Sequence, residues 1–440
     1  MKDLDFNTQF THAYDILENS SKNVFVTGKA GTGKSTLLEY FRAHTLKNVA
    51  VLAPTGVAAI NVKGQTIHSF FCFKPDVTPD TVPFIQIRKS KRNLYQKINA
   101  VVIDEISMVR ADLFDCIDVF LRIHGPDKDL PFGGVQMIFF GDLFQLPPVV
   151  TRHEEDMFCK KEGKDGFYAT PYFFSARAFN DLELTYVELL EVYRQKDEYF
   201  VKLLNVIRNN RMKEDHLKLL NQRWVRYVDI DDEDYYIHLT TTNAMADKIN
   251  QQQLRNLDGN VMTFEGDVLG DFRERDLPTK QSLDLKEGAQ VMMLNNDQAG
   301  RWVNGSIGKI VSLQGNCDSR KAIQVELVEG GVVVDVKPFT WEMFRFYYNE
   351  DAQILDSESV GEFMQYPLRL AWAVTIHKSQ GKTFSKVVLD LGSGAFAHGQ
   401  LYVALSRCVD FEGLVLKRPV QQRDVILDKA VVEFMNLRKN

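Results

Sequence analysis

Gly28-Lys-Ala30-Gly31-Thr32-Gly33-Lys34-Ser35-Thr36 is the stretch whose residue types and spacing could do chemistry on phosphate. Gly28, Gly31 and Gly33 let the backbone wrap tightly and turn its N–H groups inward, with Ala30 and Thr32 completing the loop. Lys34 has the reach for β- and γ-phosphates, and the Ser35 hydroxyl suits a Mg²⁺ position. The flanks agree. Val24-Phe-Val-Thr27 reads as a short buried strand, and Thr36 leads into a helix through Leu37-Leu-Glu-Tyr-Phe-Arg. Strand, glycine loop and helix form the context such a loop requires, and the helix N-terminus adds partial positive charge.

A second chemical group follows at Ala100-Val-Val-Ile-Asp104-Glu105. Asp104 is suited to hold Mg²⁺, and Glu105 to orient and deprotonate an attacking water. Val135–Phe140 delivers Gly141-Asp142-Leu-Phe-Gln145, where Gln145 could sense a γ-phosphate. Gln9, on a helical stretch before the loop, carries an amide that matches adenine, although an exposed helical glutamine explains it equally well. Arg194 and Arg407 stand near strand ends in a later region without a glycine loop. Each alone reads as an ion-pair partner. Together they suggest cations supplied to the charge on a transferring phosphate, a contribution of roughly 10³–10⁵ in rate.

These residues need elements to position them. With 440 residues, the chain is expected to form two or three domains. The fold class expected is α/β, with two parallel sheets covered by helices on both faces. The first domain is placed at 1–178, with a basic insertion within about 61–98, and the second at 179–258 and 362–440. Leu182–Leu190, strand-like, falls in that second domain. Between 259 and 361, helical periodicity gives way to short alternating runs. The turn signals Asn304-Gly305 and Glu329-Gly-Gly331 divide them into a meander consistent with a small β-barrel.

Several stretches invite a nucleic-acid reading. Thr55-Gly56 follows the strand Asn48–Ala53, and Gln65–Phe71 interleaves His68, Phe70 and Phe71. For Phe70 and Phe71 two readings stand: core residues, or a strip that meets bases. His68 is likewise structural or a strand contact. Arg88, Lys89, Lys91, Arg92 and Lys97 form either a solvated face or a contact to duplex phosphates. Asn243 reads as a helix N-cap. The net charge of −6 gives no bulk argument for a polyanionic partner. Cys72, Cys116, Cys159, Cys317 and Cys408 stand far apart, which indicates neither a disulfide framework nor a zinc site. No apolar run is long enough to span a bilayer, and Met1–Asn7 does not resemble a signal peptide. A cytoplasmic protein without membrane partners is expected.

In order, Gly28–Thr36, Ala53–Gly56, Gln65–Phe71, Val102–Met108, Gly141–Pro148, Glu191–Gln195, Thr375–Thr383 and Gly399–Arg407 resemble the superfamily 1 helicase motifs. Ile-Asp104-Glu-Ile-Ser-Met108, Gly141-Asp-Leu-Phe-Gln-Leu-Pro-Pro148, Thr375-Ile-His-Lys-Ser-Gln-Gly381 and the segment Asp112–Phe120 are similar to the petite-integration-frequency (PIF) helicases, of the superfamily 1B, RecD-like branch. The resemblance covers nearly the whole chain. It implies two RecA-like P-loop domains, a wedge insertion in the first and a Src-homology-3-like β-barrel in the second. It implies ATP and Mg²⁺, and 5′-to-3′ movement on single-stranded DNA with unwinding of duplexes at single/double-strand junctions and of G-quadruplexes. By motif, Gln9 would read adenine, and Lys34, Ser35 and Asp104 would hold phosphate and Mg²⁺. Gln145, Arg194, Gly381 and Arg407 would surround the γ-phosphate, with ATP between the lobes. Thr55, Gly56, His68, Phe70, Thr242, Asn243, Thr375 and His377 would face DNA. A compact bacterial-type protein, nucleoid-associated and working as a monomer in repair, recombination or telomere maintenance, is what the resemblance suggests. The competing readings are a 3′-to-5′ or RNA-directed helicase, a non-translocating ATP switch on DNA, and a scaffold with a dead ATPase.

Overall fold

The computed structural model describes residues 7–150, 167–193, 195, 197–226, 235–313 and 322–437. The chain divides into two units. The first comprises Met1–Tyr193, Glu342–Val360 and Lys429–Asn440; the second comprises Arg194–Trp341 and Gly361–Asp428.

In the first unit, runs of Val, Ile, Phe and Ala form β1 (Asn23–Gly28), β2 (Val49–Ala53), β3 (Gln65–Thr66), β4 (Ala100–Ile103), β5 (Gln136–Phe140) and β6 (Leu184–Leu189). They make one parallel sheet in the order β3-β2-β4-β5-β1-β6. Most of these strands are apolar along their whole length because both faces are covered. One face buries Val24, Val26, Val51, Val102, Ile138 and Phe140 against Phe10, Leu17, Leu37 and Phe41 from the helices Thr8–Asn19 and Lys34–His44. The other face is aromatic: Phe25 meets Phe173, and Phe114 of the helix Ala111–His124 meets Phe139.

Two boundaries differ from the sequence reading. β6 pairs with β1 from Asn23↔Leu184 to Gly28↔Leu189, so the strand assigned to a second domain completes the first sheet. The helix Lys429–Leu437 also belongs to the first unit, because Phe434 stacks on Phe174 and meets Phe179 and Tyr186 edge-on. Both contacts join residues far apart in sequence, where local pattern is silent.

The second unit carries β7 (Ile237–Thr240) and then the β-rich stretch. That stretch comprises β8 (Met262–Glu265), β9 (Asp267–Gly270), β10 (Ser282–Leu285), β11 (Gln290–Met293), β12 (Ile307–Ser312), β13 (Ile323–Leu327), β14 (Val333–Val336), β15 (Phe339–Asn349), β16 (Ile354–Gln365) and β17 (Leu368–Leu370), of which the part of β15 and β16 within Glu342–Val360 counts with the first unit. β14-β13-β12-β11-β17 is a five-stranded antiparallel sheet. Its buried face collects Val291, Met293, Ile310, Val325, Val334 and Leu368, with Trp302 and Tyr366. The β-rich region therefore runs through β17, past the boundary expected at 361. β18 (Ala373–Thr375), β19 (Val387–Asp390) and β20 (Leu414–Leu416) then join β7 in a parallel sheet of order β18-β7-β19-β20.

Candidate nucleotide and nucleic-acid sites

In the first sheet β4, β5 and β1 are neighbours. Parallel strands end at the same edge, so the segments after them, Asp104–Glu105, Gly141–Gln145 and Gly28–Thr36, emerge side by side there. A Cβ on Gly28 would lie 2.6 Å from both Leu189 O and Thr32 Oγ1, so only glycine fits. Gly33 caps the helix Lys34–His44 at φ 84°, a left-handed conformation that glycine adopts without strain. Lys34 Nζ lies across the loop, donating to Gly28 O (2.8 Å) and Lys29 O (2.9 Å). Thr32 Oγ1 donates to Lys29 O (3.0 Å), and Ala30 is buried in the loop. Ser35 and Thr36 are exposed on the first helical turn.

Burial raises the Asp104 carboxyl to about 6, against the Glu105 backbone hydrogen bond and the Lys34 ammonium, which both pull it down. That pull draws Lys34 and Asp104, 70 positions apart in sequence, into one electrostatic site. Glu105 sits at φ 50°, ψ 45°, a left-handed conformation uncommon for a residue with a Cβ. Gln145 is buried. Its N–H donates to Asp142 O (2.9 Å) and its Nε2 to Asp142 Oδ2 (3.4 Å), while Phe144 N donates to Asp142 Oδ1 (3.2 Å). Asp142, given no role from sequence, thus orients Gln145. Gln9 Oε1 accepts from Leu190 N (3.0 Å), and Asn7, the helix N-cap, donates to Glu191 Oε2 (2.9 Å) and to Tyr193 OH (2.8 Å). Tyr193 N donates to Gly31 O (2.9 Å), so the end of β6 brings the Gln9 helix to the glycine loop. No sequence signal marks Asn7, and Tyr193 enters the sequence reading only as a member of the motif Glu191–Gln195.

Elsewhere in the first unit, Thr55 is the exposed N-cap of the helix Gly56–Asn61, its hydroxyl accepting from Ala58 N (3.3 Å), and Gly56 is buried. His68 is half-buried in the short helix Ile67–Phe70. Phe70 corrects the expectation of a base contact. It is 1% exposed, edge-on to Phe71, Tyr95 and Phe346, and Tyr95 OH donates to its carbonyl (2.6 Å). The basic helix Lys89–Lys97 buries Leu94 and Tyr95 and exposes Lys89, Arg92 and Lys97. Asp112, Asp115 and Asp118 serve structure: Asp112 pairs with Arg110, Asp115 accepts from Tyr168 OH and Ala178 N, and Asp118 accepts from Arg122 and Phe132 N.

In the second unit β18 and β7 are neighbours, and Ile376 N donates to Thr240 O (2.9 Å), so Thr375–Lys378 and Thr240–Asn243 leave the sheet together. Thr242, not Asn243, is the N-cap of the helix Asn243–Asn256, its side chain accepting from Met245 N. Both residues are exposed. Thr375 is buried, and its hydroxyl accepts from Lys378 N (3.3 Å), so the turn presents Lys378 rather than the expected threonine. His377 is half-buried, and burial pushes its pKa down. Asn250 clamps the edge strand β18 from the helix, donating to Ala373 O (2.8 Å) and accepting from Ala373 N (2.9 Å).

Arg407 is 1% exposed. It donates from Nε to Val403 O (2.9 Å), from Nη1 to Ser379 O (3.4 Å) and Lys382 O (3.2 Å), and from Nη2 to Ser406 Oγ (2.7 Å). Its backbone flanks are held by Gln195, whose Nε2 donates to Ser406 O (2.8 Å). Gly381 is exposed at φ 80° in the turn that receives the guanidinium. Arg194 lies outside the described residues.

A PIF1-like helicase family profile matches residues 7–217. An ATP-dependent DNA helicase Pif1 of Bdellovibrio bacteriovorus is 31% identical, over 98% of this chain and 92% of its own length. The structure is similar to Bacteroides sp. Pif1 in complex with ADP-AlF4, at TM-score 0.88 and 35% identity over 99% of this chain and 98% of that one. It is also similar to Bacteroides Pif1 in complex with ADP-AlF3 and single-stranded DNA, at TM-score 0.69 and 36% identity over 99% and 98% of the two chains. The chain spans between 57% and 62% of the length of the fungal and vertebrate relatives it matches, all ATP-dependent DNA helicases PIF1. With the glycine loop, the Asp104–Glu105 pair and near end-to-end likeness to the bacterial relatives, the chain belongs to the PIF1-like family of superfamily 1B DNA helicases.

Proposed function

We propose that this protein is an ATP-dependent DNA helicase that moves 5′-to-3′ on single-stranded DNA and opens duplexes at single/double-strand junctions, G-quadruplexes included. The observation that carries the reading is the meeting of Lys34 with Asp104–Glu105 at one sheet edge. The complexes formed by the Bacteroides relatives, with a nucleotide mimic and with single-stranded DNA, support it.

Lys34 would exchange its bonds to Gly28 O and Lys29 O for phosphate oxygens, with the N–H groups of Gly31–Lys34 around them. Asp104 and the Ser35 hydroxyl are oxygen donors beside the phosphate position, and a carboxyl raised by burial gains from a hard divalent cation, so the pair fits Mg²⁺. Bound there, Mg²⁺ would neutralise charge on the phosphates. Glu105 orients and deprotonates water, Gln145 held by Asp142 reports the γ-phosphate, and Gln9 reads adenine. Arg194, Gly381 and Arg407 are assigned to the γ-phosphate and the charge that develops on it. Thr55, His68, Thr242, Asn243 and His377 are assigned to the DNA strand. Melting one base-pair step costs about 1.4 kcal/mol, so the energetic demand per ATP is small and coupling is the harder task. The five-stranded antiparallel sheet with β8 and β10 is read as the Src-homology-3-like barrel, and an insertion within about residues 61–98 as the wedge. We place the protein in the cytoplasm, acting as a monomer.

The test is ATP-dependent strand displacement on 5′-tailed, 3′-tailed and blunt duplexes, with Lys34→Ala as control. Opening of the 5′-tailed duplex alone is expected. Opening of the 3′-tailed duplex would reverse the polarity, and ATP hydrolysis without strand displacement would make the protein a switch.

A further inference from the structure

Asn7 caps the helix Thr8–Asn19, and Gln9 lies in its first turn. An N-cap needs only an acceptor, which serine, threonine or aspartate supplies as readily as asparagine. Asn7 does more. Its Oδ1 accepts from Phe10 N (2.8 Å), and its Nδ2 donates to Glu191 Oε2 (2.9 Å) and to Tyr193 OH (2.8 Å). A side-chain amide has one oxygen and two N–H groups, and here all three are used. Phe10 N–H can only donate, so it settles which end of the amide is the oxygen.

Gln9 is oriented in the same manner. Leu190 N donates to its Oε1 (3.0 Å), so the oxygen faces the end of β6, and the other end of the amide, Nε2, is a donor. The segment Leu190–Tyr193 thus receives two bonds from Asn7 and gives one to Gln9. The same segment reaches the glycine loop. Tyr193 N donates to Gly31 O (2.9 Å), and Tyr193 Cε2 lies 3.9 Å from the position a Cβ on Gly33 would take. Four residues leaving an edge strand therefore bind the start of the helix on one side and the phosphate-type loop on the other. The bonds of Asn7 to Glu191 and Tyr193 are exposed, and water replaces such bonds at little cost in stability. What they fix is position: the Gln9 amide relative to the loop Gly28–Lys34.

We infer that Asn7 is a positioning residue for base selection. It holds the Gln9 amide in register with the glycine loop, so that a nucleotide seated by its phosphates meets the Gln9 donor with an acceptor on its base. Purine N7 is such an acceptor. The inference rests on the nucleotide-binding reading above and adds the residue that makes Gln9 selective. Asn7→Ser keeps a capping oxygen and removes both amide N–H groups. Tyr193→Phe keeps the ring and removes one of the two acceptors.

The experiment uses the full chain and displacement of a ribose-labelled fluorescent ADP by three competitors. These are ADP, 7-deaza-ADP, in which a C–H replaces N7, and inorganic tripolyphosphate. The parent should prefer ADP over 7-deaza-ADP by about threefold to tenfold, the worth of one hydrogen bond. Asn7→Ser should bring that preference close to unity and leave tripolyphosphate affinity unchanged. Tyr193→Phe should remove part of the preference and add nothing to Asn7→Ser; it tests the same link if Asn7→Ser folds poorly. Asn19→Ser, at the far end of the same helix, should change neither quantity. An Asn7→Ser variant with the parent's preference would overturn the inference alone. So would equal losses of ADP and tripolyphosphate affinity, which would make Asn7 a structural cap. A parent without preference for ADP over 7-deaza-ADP would remove Gln9 from base reading and the inference with it, and a parent that binds no ADP would overturn the nucleotide reading as well.

Discussion

At the carboxyl edge of the first sheet stand a glycine loop and two adjacent carboxylates; at the same edge of the second stand threonines and a buried arginine. β1 ends in Gly28, where a side chain would strike Leu189 O, and a glycine loop leads from it into the helix Lys34–His44. β7 ends in Thr240, whose hydroxyl donates to Thr242 O, and Thr242 closes the next helix with its own side chain. A helix capped by a left-handed glycine and a helix capped by the side chain of a threonine are two answers to one problem, the bare amides of a helix N-terminus. The first suits a nucleotide. Beside the second, Asn243 and Lys378 are exposed.

The sharpest way to break this comparison is Arg407. If the second unit contributes cations to the reaction, Arg407→Ala should lower ATP turnover by about 10³–10⁵ while nucleotide binding persists. The variant leaves the carbonyls of Val403, Ser379 and Lys382 without that donor, so its thermal unfolding should be measured alongside. Turnover at the parent rate in a folded variant would confine the chemistry to the first unit. Glu105→Gln comes next. It should retain ATP and DNA binding and lose about 10²–10⁴ in turnover, the usual contribution of a positioned base. A wild-type-like ATPase would remove Glu105 from the mechanism.

A third test separates the units by pH. His238, on β7, is pushed down to about 4, first by burial and then by Lys417, with Asp390 opposing, and its Nδ1 is buried without a partner. Its ordinary value is 6.5. Above that value both folded and unfolded chains hold it neutral. As pH falls from 6.5 toward 4 the unfolded chain takes up the proton and the folded one does not, so stability drops by about 3 kcal/mol across that window. His238→Phe should flatten the acid-side loss in denaturant melts; an unchanged pH profile would show that the ring is protonated without cost. The smallest effect expected is capping. Thr55→Ala in the first unit and Thr242→Ala in the second should each cost about 1 kcal/mol in stability. Should Thr242→Ala also weaken oligonucleotide binding while leaving basal ATPase intact, that threonine serves both the helix and the strand.

The candidate nucleotide site was legible in the sequence as two motifs that the fold brings to one sheet edge, because the chemistry of each is local. Gly28–Ser35 and Asp104–Glu105 each carry their meaning in consecutive residues, and the strand before each says where they emerge. Phe70 was undecided for the opposite reason: an aromatic residue suits a core and a base alike, and only the rings of Phe71, Tyr95 and Phe346 around it choose. The cap at Thr242 rather than Asn243 is a shift of one residue, within the reach of either side chain. β6 was placed with the second domain because strand pairing acts across space, and the strand-like stretch at 182–190 suits either sheet.

Taken alone, the sequence determined that a glycine loop of phosphate-binding type joins a strand to a helix, and that a β-rich stretch interrupts a second α/β region, since spacing and periodicity follow from backbone geometry. Tertiary structure decided which strands share a sheet, that Arg407 is buried on carbonyls, and that Asp142 orients Gln145. Those outcomes depend on packing between distant segments, and packing energy has no signature in a local stretch of chain.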